Sequence, residues 1–187
     1  MNLRFVAAVG DELGSLPGAV LGVGPVVAAA SMASLLAAER PDAVVLIGTA
    51  GAFPGGPAVG SLVSGSRLGL ADPLKGAGLG YVPRLPEPLE ADAALRQRLA
   101  LPECRILTNL GVTTDEALAK YFSEEWEVEH MEAYGAAWAC QQLQVPFAVV
   151  VGITNVVGPT AHAEWLARRY SVQTAVREWV RSRFLRP

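Results

Sequence analysis

The feature that most constrains the fold is a pair of short apolar segments joined by an alanine-rich stretch. Glu127–His130 and Ala148–Ile153 have the length and composition of buried strands, and Glu132–Leu143 between them has the composition of a helix. Polar residues stand where each strand ends: Glu132 follows the first strand, and Asn155 follows the second. Because functional side chains in open α/β sheets gather at the carboxyl ends of strands, we expect these two residues to lie at a site.

The rest of the chain repeats this alternation of strands and helices. Other predicted strands are Leu3–Val9, Ala19–Val23, Ala43–Ile47, Ser61–Ser64 and Cys104–Leu107. Other predicted helices are Val26–Ala38, Ala91–Ala100, Asp115–Phe122 and Ala163–Phe184. Glycine-rich Gly48–Gly51 is interpreted as a turn, and Ala71–Pro88 as a mobile loop. The pattern predicts an α/β protein in three layers, a central, mixed and mostly parallel sheet flanked by helices, with residues 1–187 forming one domain.

Composition excludes several classes of protein. A net charge of −3 and a pI near 5.4 argue against a nucleic-acid partner, which needs a basic surface. No apolar run is long enough to predict a membrane span, and Leu3–Val9 leads directly into acidic Asp11, unlike a signal peptide. Cys104 and Cys140 lack the spacing of a metal site, and nothing in the cysteine content requires an oxidising compartment. We therefore expect a soluble cytoplasmic protein without a bound metal.

Several segments match one known family, in the same order along the chain. They are Ala7–Glu12, Gly22–Pro25, Gly48–Ala52, Leu107–Asp115, Val128–Ala133 and Ile153–Gly158. Together they resemble the nucleoside phosphorylase/nucleosidase superfamily, and within it the futalosine hydrolases of menaquinone biosynthesis, which are related to methylthioadenosine/S-adenosylhomocysteine nucleosidases. The resemblance implies hydrolysis of the N-glycosidic bond of a purine nucleoside, with futalosine as the expected substrate and hypoxanthine as the released base. It implies no metal or organic cofactor, and a homodimer or larger homo-oligomer.

The resemblance also assigns roles to two carboxylates. It implies that Glu132 binds the ribose hydroxyls, with Met131 packed under the sugar, and that Glu12 is the general base that deprotonates the attacking water. Each has a simpler interpretation. Glu132 stands at the start of a helix, where a carboxylate is stabilised by the helix dipole without any ligand. Glu12 lies between Gly10 and Gly14, a context that also fits an exposed acidic turn.

The resemblance implies that Asn155 contacts the purine base. Adenosine-type nucleosidases of this superfamily place an aspartate here, which shares a proton with the purine. An asparagine amide is not an acid at neutral pH, but it offers both a donor and an acceptor, which suits N7 and O6 of a 6-oxopurine. The simpler interpretation is an asparagine that caps a turn before Gly158.

Three further residues are assigned to substrate binding by the resemblance. Thr49 offers a hydroxyl and a backbone amide to the nucleophile or ribose, and Val112 and Thr113 border the base. Tight-turn geometry would equally account for Thr49, and ordinary packing for Val112 and Thr113.

His130 is expected to support the site without reacting. The arginines near the C-terminus are predicted to form the solvated face of the last helix: Arg168, Arg169, Arg177, Arg181, Arg183 and Arg186.

The sequence leaves several functions open. Phosphorolysis needs several cationic side chains around phosphate. Phosphorylases of the family commonly carry an arginine at the position where this chain has Leu46-Ile47. Arg67 is a single cation, which is fewer than phosphate binding needs. Gly22-Val23-Gly24 is only a weak match to a dinucleotide-binding fingerprint, because no clear third small residue or later acidic residue accompanies it. The motifs are also consistent with a methylthioadenosine/S-adenosylhomocysteine nucleosidase, and with a relative that binds nucleosides without cleaving them.

Overall fold

The computed structural model describes residues 2–185 and contains an eight-stranded mixed sheet. Its strands are β1 Leu3–Ala7, β2 Gly18–Val20, β3 Ala43–Ala52, β4 Leu62–Leu70, β5 Leu89–Glu90, β6 Glu103–Thr108, β7 Val128–His130 and β8 Phe147–Val156. Its helices are α1 Gly10–Leu13, α2 Pro25–Glu39, α3 Pro73–Gly76, α4 Ala93–Leu99, α5 Glu116–Ser123, α6 Ala133–Gln142 and α7 Ala161–Phe184.

Strand β3 is the centre of the sheet. It pairs in parallel with β1 on one side and β8 on the other, and β2 extends the sheet beyond β1. Beyond β8, β4 first runs antiparallel to β8 and then parallel to β6. Five of the eight pairings within residues 2–185 are parallel. The predicted fold class, a mixed and mostly parallel sheet flanked by helices, is confirmed.

Alternate residues of β3 enter two separate cores. Val44 and Leu46 pack with α2 and α6, whereas Val45 and Ile47 pack with α4 and α7. Both faces of the strand are therefore covered by helices, which explains why its sequence is continuously apolar instead of alternating. The carboxyl ends of the parallel strands lie together at one edge of this sheet, which helices cover on both faces.

Helices α2 and α6 approach each other closely at their starts. A Cβ atom added to Gly135 would lie 2.1 Å from the carbonyl oxygen of Pro25, so only glycine permits this contact. Proline at the first position of α2 fits the expected start of that helix. The close contact brings the amino ends of both helices to the same edge of the sheet, beside Glu132.

We expect the substitution Gly135→Ala to lower the free energy of unfolding by about 2–3 kcal/mol, since the two helix backbones would have to separate. Urea denaturation measures this change. Gly111→Ala is the matched control, because the added Cβ meets nothing within 4 Å. Equal stability of both variants would show that the helix contact is not tight.

The main correction to the predicted elements concerns β3, for which the sequence predicts an end at Ile47 and a turn over Gly48–Gly51. That turn is wrong, because the strand continues to Ala52. A Cβ at Gly48 would lie 3.0 Å from Oε1 of Glu12, and one at Gly51 would lie 2.8 Å from Nδ2 of Asn155. These glycines therefore make room within a strand for neighbouring polar side chains.

Smaller differences affect the ends of other elements. The predicted second strand, Ala19–Val23, is the shorter Gly18–Val20, and β4 runs on to Leu70 instead of ending at Ser64. Helix α1 is not predicted by the sequence, since four residues are too few for a helical period to show. Ala71–Pro88 is irregular apart from α3. Arg186 lies outside the described residues.

Candidate active site

A cavity of about 430 Å³ opens at the carboxyl ends of β1, β3, β7 and β8. Six of the seven side chains that the sequence assigned to the site line it: Glu12, Thr49, Val112, Met131, Glu132 and Asn155. The chain thus brings together residues that are up to 143 positions apart (155 − 12). Within residues 2–185, no group of three or more histidine, cysteine, aspartate or glutamate side chains is arranged to hold a metal ion.

Glu12 is buried by the short helix α1, with 7% of its surface exposed, and is not part of an open acidic turn. Its Oε2 accepts a hydrogen bond from the Ala8 amide at 3.2 Å. Its Oε1 accepts from the amide and the hydroxyl of Thr49, at 3.0 and 3.3 Å. Burial raises the pKa of Glu12, against the lowering influence of His130 and of the Thr49 amide. The carboxylate is therefore fixed in orientation and made a stronger base than an exposed glutamate.

Glu132 occupies the N-cap position of α6, but its side chain does not cap that helix. Oε1 instead accepts a hydrogen bond from the Gly24 amide at 2.9 Å, just before α2 begins. The carboxylate is 4% exposed and lies where the amino ends of two helices meet. The side chain of Glu132 is therefore directed to the start of α2 and to the cavity, and not to the amides of its own helix.

His130 connects these elements. Its Nδ1 accepts hydrogen bonds from the amides of Glu132 and Ala133, at 3.1 and 3.2 Å, and lies 3.3 Å from Oε2 of Glu132. Its Nε2 lies on the side of Glu12, since both would contact a Cβ placed on Gly48. The imidazole thus holds the start of α6 and separates the two carboxylates.

Asn155 is 5% exposed at the end of β8. Its Oδ1 accepts a hydrogen bond from the Thr154 hydroxyl at 2.8 Å, and its Nδ2 donates to the Val156 carbonyl at 3.2 Å. A primary amide has two N–H donors and two acceptor lone pairs. One N–H and one lone pair of Asn155 therefore remain for a bound molecule.

Thr113 is the one predicted site residue that the structure places behind the cavity wall. Its amide donates to Oε2 of Glu129 at 3.0 Å, and its hydroxyl donates to Oε1. Glu129 also accepts from Nδ2 of Asn109 at 3.4 Å, and it lines the cavity itself. Burial raises the pKa of Glu129, against these hydrogen bonds. Thr113 thus positions Glu129, a wall residue that sequence reasoning did not identify.

Helix α7 supplies a wall that sequence reasoning also missed. Trp165, Arg169 and Gln173 line the cavity, and Nε1 of Trp165 donates to Oγ1 of Thr49 at 3.2 Å. Their spacing of four residues places them on one face of a helix, which is the signal that would have found them. The prediction that the arginines of this helix are all solvated is wrong for Arg169, because it faces the cavity.

The raised pKa values of Glu12 and Glu129 predict how stability depends on pH. Above their ordinary value of 4.5 and below their raised values, the folded protein binds more protons at these groups than the unfolded chain. These two groups therefore make stability fall as pH rises through that window. Thermal unfolding measured as the pH is raised from 4.5 should show a falling Tm until both groups are ionised in the folded protein, with a shallower slope in Glu129→Gln. A Tm that rises across the window in wild type and variant alike would contradict the assignment.

Comparison with known proteins places this geometry in a family. The family model of the phosphorylase superfamily matches residues 15–182. Futalosine hydrolase from Thermus thermophilus is 32% identical over 161 residues, covering 77% of this chain and 71% of that protein. The 5′-methylthioadenosine/S-adenosylhomocysteine nucleosidase of Listeria monocytogenes serotype 4a is 28% identical over 160 residues, covering 75% and 68%.

Solved structures share the whole fold. A mutant 5′-methylthioadenosine nucleosidase from Helicobacter pylori, with 5′-methylthioadenosine in its active site, superposes with a TM-score of 0.84 over 97% of this chain and 96% of its own, at 17% identity. A futalosine hydrolase mutant from the same species gives 0.84 over 96% of both chains, also at 17% identity. Among residues 2–185, no helix is long and apolar enough to cross a membrane. The family that the sequence motifs indicated is confirmed, and this chain belongs to the phosphorylase superfamily.

Proposed function

We propose that the chain hydrolyses the N-glycosidic bond of a purine nucleoside, that futalosine is the substrate, and that hypoxanthine is released. The observation that carries the proposal is the convergence of Glu12, Glu132 and Asn155 on one cavity of about 430 Å³. Such a reaction needs a base for water, a carboxylate for the sugar, and a hydrogen-bonding group for the departing base. Each of these groups is present: Glu12 lies in α1, Glu132 lies at the start of α6, and Asn155 lies at the end of β8.

Glu12 is the proposed general base. It orients a water molecule and takes its proton as the water oxygen bonds to C1′ of the ribose. The C1′–N9 bond breaks, and its electron pair leaves with the purine, which is then protonated from solvent. The hydrogen bonds from Ala8 and Thr49 hold the carboxylate in place for this step without moving during it.

The other residues position the nucleoside. Glu132 accepts hydrogen bonds from the ribose hydroxyls, and Met131 packs under the sugar. Thr49 orients the water or ribose while its hydroxyl bonds to Glu12. Val112 borders the base, and Thr113 acts from behind it through Glu129. The proposed reaction needs no metal or organic cofactor.

The free N–H and lone pair of Asn155 support the choice of a 6-oxopurine. An amide donates to O6 or N7 of hypoxanthine, and it lacks the acidic proton that an aspartate would share with adenine. The 32% identity to futalosine hydrolase agrees with this choice. The second candidate, hydrolysis of methylthioadenosine or S-adenosylhomocysteine, is favoured by the 28% identity to nucleosidases of those compounds.

Water is the proposed nucleophile because the cavity is poor in cations. Its lining within the described residues contains one arginine, Arg169, and no lysine. Arg67 is outside it and pairs with Glu125 at 3.3 Å. A phosphate dianion is usually held by several cationic donors, so phosphorolysis is disfavoured.

We further propose that residues 1–187 form one domain and that the protein acts as a homodimer or larger homo-oligomer.

The proposal is tested by incubating the purified protein with futalosine, inosine and methylthioadenosine in phosphate-free buffer and separating the free bases by chromatography. We expect hypoxanthine from futalosine at the highest kcat/KM. Faster release of adenine from methylthioadenosine would replace futalosine by the second candidate. Absence of free base from all three would favour a relative that binds nucleosides without cleaving them.

A further inference from the structure

Glu12 stands on a helix that is too short to hold its own position. Helix α1 has only 4 residues, and its N-cap residue, Val9, makes no side-chain hydrogen bond to it. A single helical turn is not stable by itself, because the entropy of ordering it exceeds the gain from its one or two hydrogen bonds. The place of the Glu12 backbone therefore depends on the element that α1 packs against.

That element is the last helix, α7. Leu13 is buried in the same core cluster as Val176 and Val180 of α7. This apolar packing determines how deeply α1 is seated against α7. Hydrophobic contacts are not directional, so they do not by themselves fix the angle at which the Glu12 side chain leaves the backbone.

Arg177 of α7 adds a directional contact. Its Nη1 donates a hydrogen bond to the Asp11 carbonyl at 2.6 Å, and its Nη2 donates to Oγ1 of Thr174 on its own helix at 2.8 Å. Its side chain passes over Gly14, where an added Cβ would lie 3.0 Å from Cδ. The Asp11 carbonyl belongs to the planar peptide group that also contains the amide nitrogen of Glu12. The guanidinium therefore binds the backbone of Glu12 from the side opposite to the cavity.

Two other arginines of α7 allow this contact to be compared with its neighbours. One turn after Arg177, Arg181 donates to the Ser15 hydroxyl at 2.7 Å, just beyond the end of α1. Arg183 instead binds the Arg98 carbonyl of α4, at 3.0 Å through Nε and 2.8 Å through Nη2. Arg177 and Arg181 thus attach α7 to the segment of the general base, whereas Arg183 attaches it to a different helix.

We propose that Arg177 is a positioning residue for the reaction: by binding the Asp11–Glu12 peptide group, it holds the Glu12 carboxylate where it takes the proton of the attacking water. The inference rests on the proposed function, in which Glu12 is the general base. Arg177 is not part of the cavity lining, so it acts through Glu12 and not on the substrate. A displacement of a catalytic group by about 1 Å costs on the order of 10²-fold in rate.

The substitution Arg177→Ala tests this role. We expect kcat for inosine to fall by about 10- to 100-fold and KM to change by less than about threefold, because the groups that bind the nucleoside are untouched. Arg177→Lys should recover part of kcat, since an ammonium group can donate to the same carbonyl. Arg183→Ala is the matched control: it also removes hydrogen bonds between α7 and a neighbouring helix, so Tm should fall, but kcat should stay within about threefold of wild type.

A double-mutant cycle separates positioning from general destabilisation. If Arg177 acts through Glu12, Arg177→Ala should cause little further loss of kcat in a Glu12→Gln background. The same fractional loss in both backgrounds would overturn the inference, and so would a loss of kcat in Arg183→Ala as large as that in Arg177→Ala.

Failure of the proposed function gives a different result, namely no free base from any nucleoside with the wild-type protein. Hydrogen exchange of the Glu12 amide, which donates to the Val9 carbonyl at 3.2 Å, then tests the contact without activity. Faster exchange in Arg177→Ala than in Arg183→Ala would support the role of Arg177 in holding α1. Equal exchange in the two variants would contradict it.

Discussion

Replacement of Glu12 by glutamine is expected to lower kcat for nucleoside hydrolysis by roughly 10³-fold, within the range usual for loss of a general base. The amide keeps the size of the side chain but has no ionisable oxygen to take the proton of water. One of its ends must also face an N–H of Ala8 or Thr49, so some loss of stability is expected. KM should change far less than kcat, because the substrate is bound by other side chains.

Asp11→Asn is the matched control, since it neutralises the neighbouring carboxylate of the same helix; kcat for inosine should change by less than about threefold. In wild type, kcat should fall on the acidic side as Glu12 becomes protonated, and this fall should occur above pH 4.5 because burial raises the pKa of Glu12. Retention of wild-type kcat by folded Glu12→Gln would remove this residue from the reaction.

The second large effect is expected at Asn155. The substitution Asn155→Asp should shift the ratio of kcat/KM for 6-oxopurine over 6-aminopurine nucleosides by about 100-fold toward adenine, as expected when a buried hydrogen bond is lost in one complex and gained in the other. An ionised aspartate repels O6 of hypoxanthine, whereas it accepts a hydrogen bond from the amino group of adenine. Parallel assays with inosine and adenosine measure the ratio.

Asn155→Ala is the control for this exchange. It removes the contacts to either base, so it should lower both rates without reversing the preference. Aspartate has the same size as asparagine, so it fits equally well beside the Gly51 backbone. An unchanged base preference in Asn155→Asp would show that the amide does not contact the six-position of the purine.

The site was largely predictable where local pattern and strand order determine it. Glu132 and Asn155 follow apolar strands, and in a mostly parallel sheet such strand ends meet at one edge. Glu12 was harder to place, because four residues of helix leave no period and its burial depends on contacts with Thr49. The family motifs, not the local pattern, selected it.

The parts that could not be predicted depend on tertiary contacts. Gly48 and Gly51 indicated a turn, yet they serve as close-approach positions in a buried strand, which no local propensity distinguishes. Arg169 has the sequence context of a solvated helix face. Only the packing of α7 beside the cavity turns that face, with Gln173, toward the cavity. Both errors arise because an element's surroundings, and not its composition, decide what its residues contact.

The most direct test of hydrolysis by an activated water is to cleave a 6-oxopurine nucleoside in H₂¹⁸O and to locate the label by mass spectrometry. If water activated by Glu12 attacks C1′, the released sugar carries one ¹⁸O atom when quenched before exchange, the hypoxanthine carries none, and added phosphate does not change the rate. A sugar phosphate without label, formed only when phosphate is present, would contradict hydrolysis and make the protein a phosphorylase.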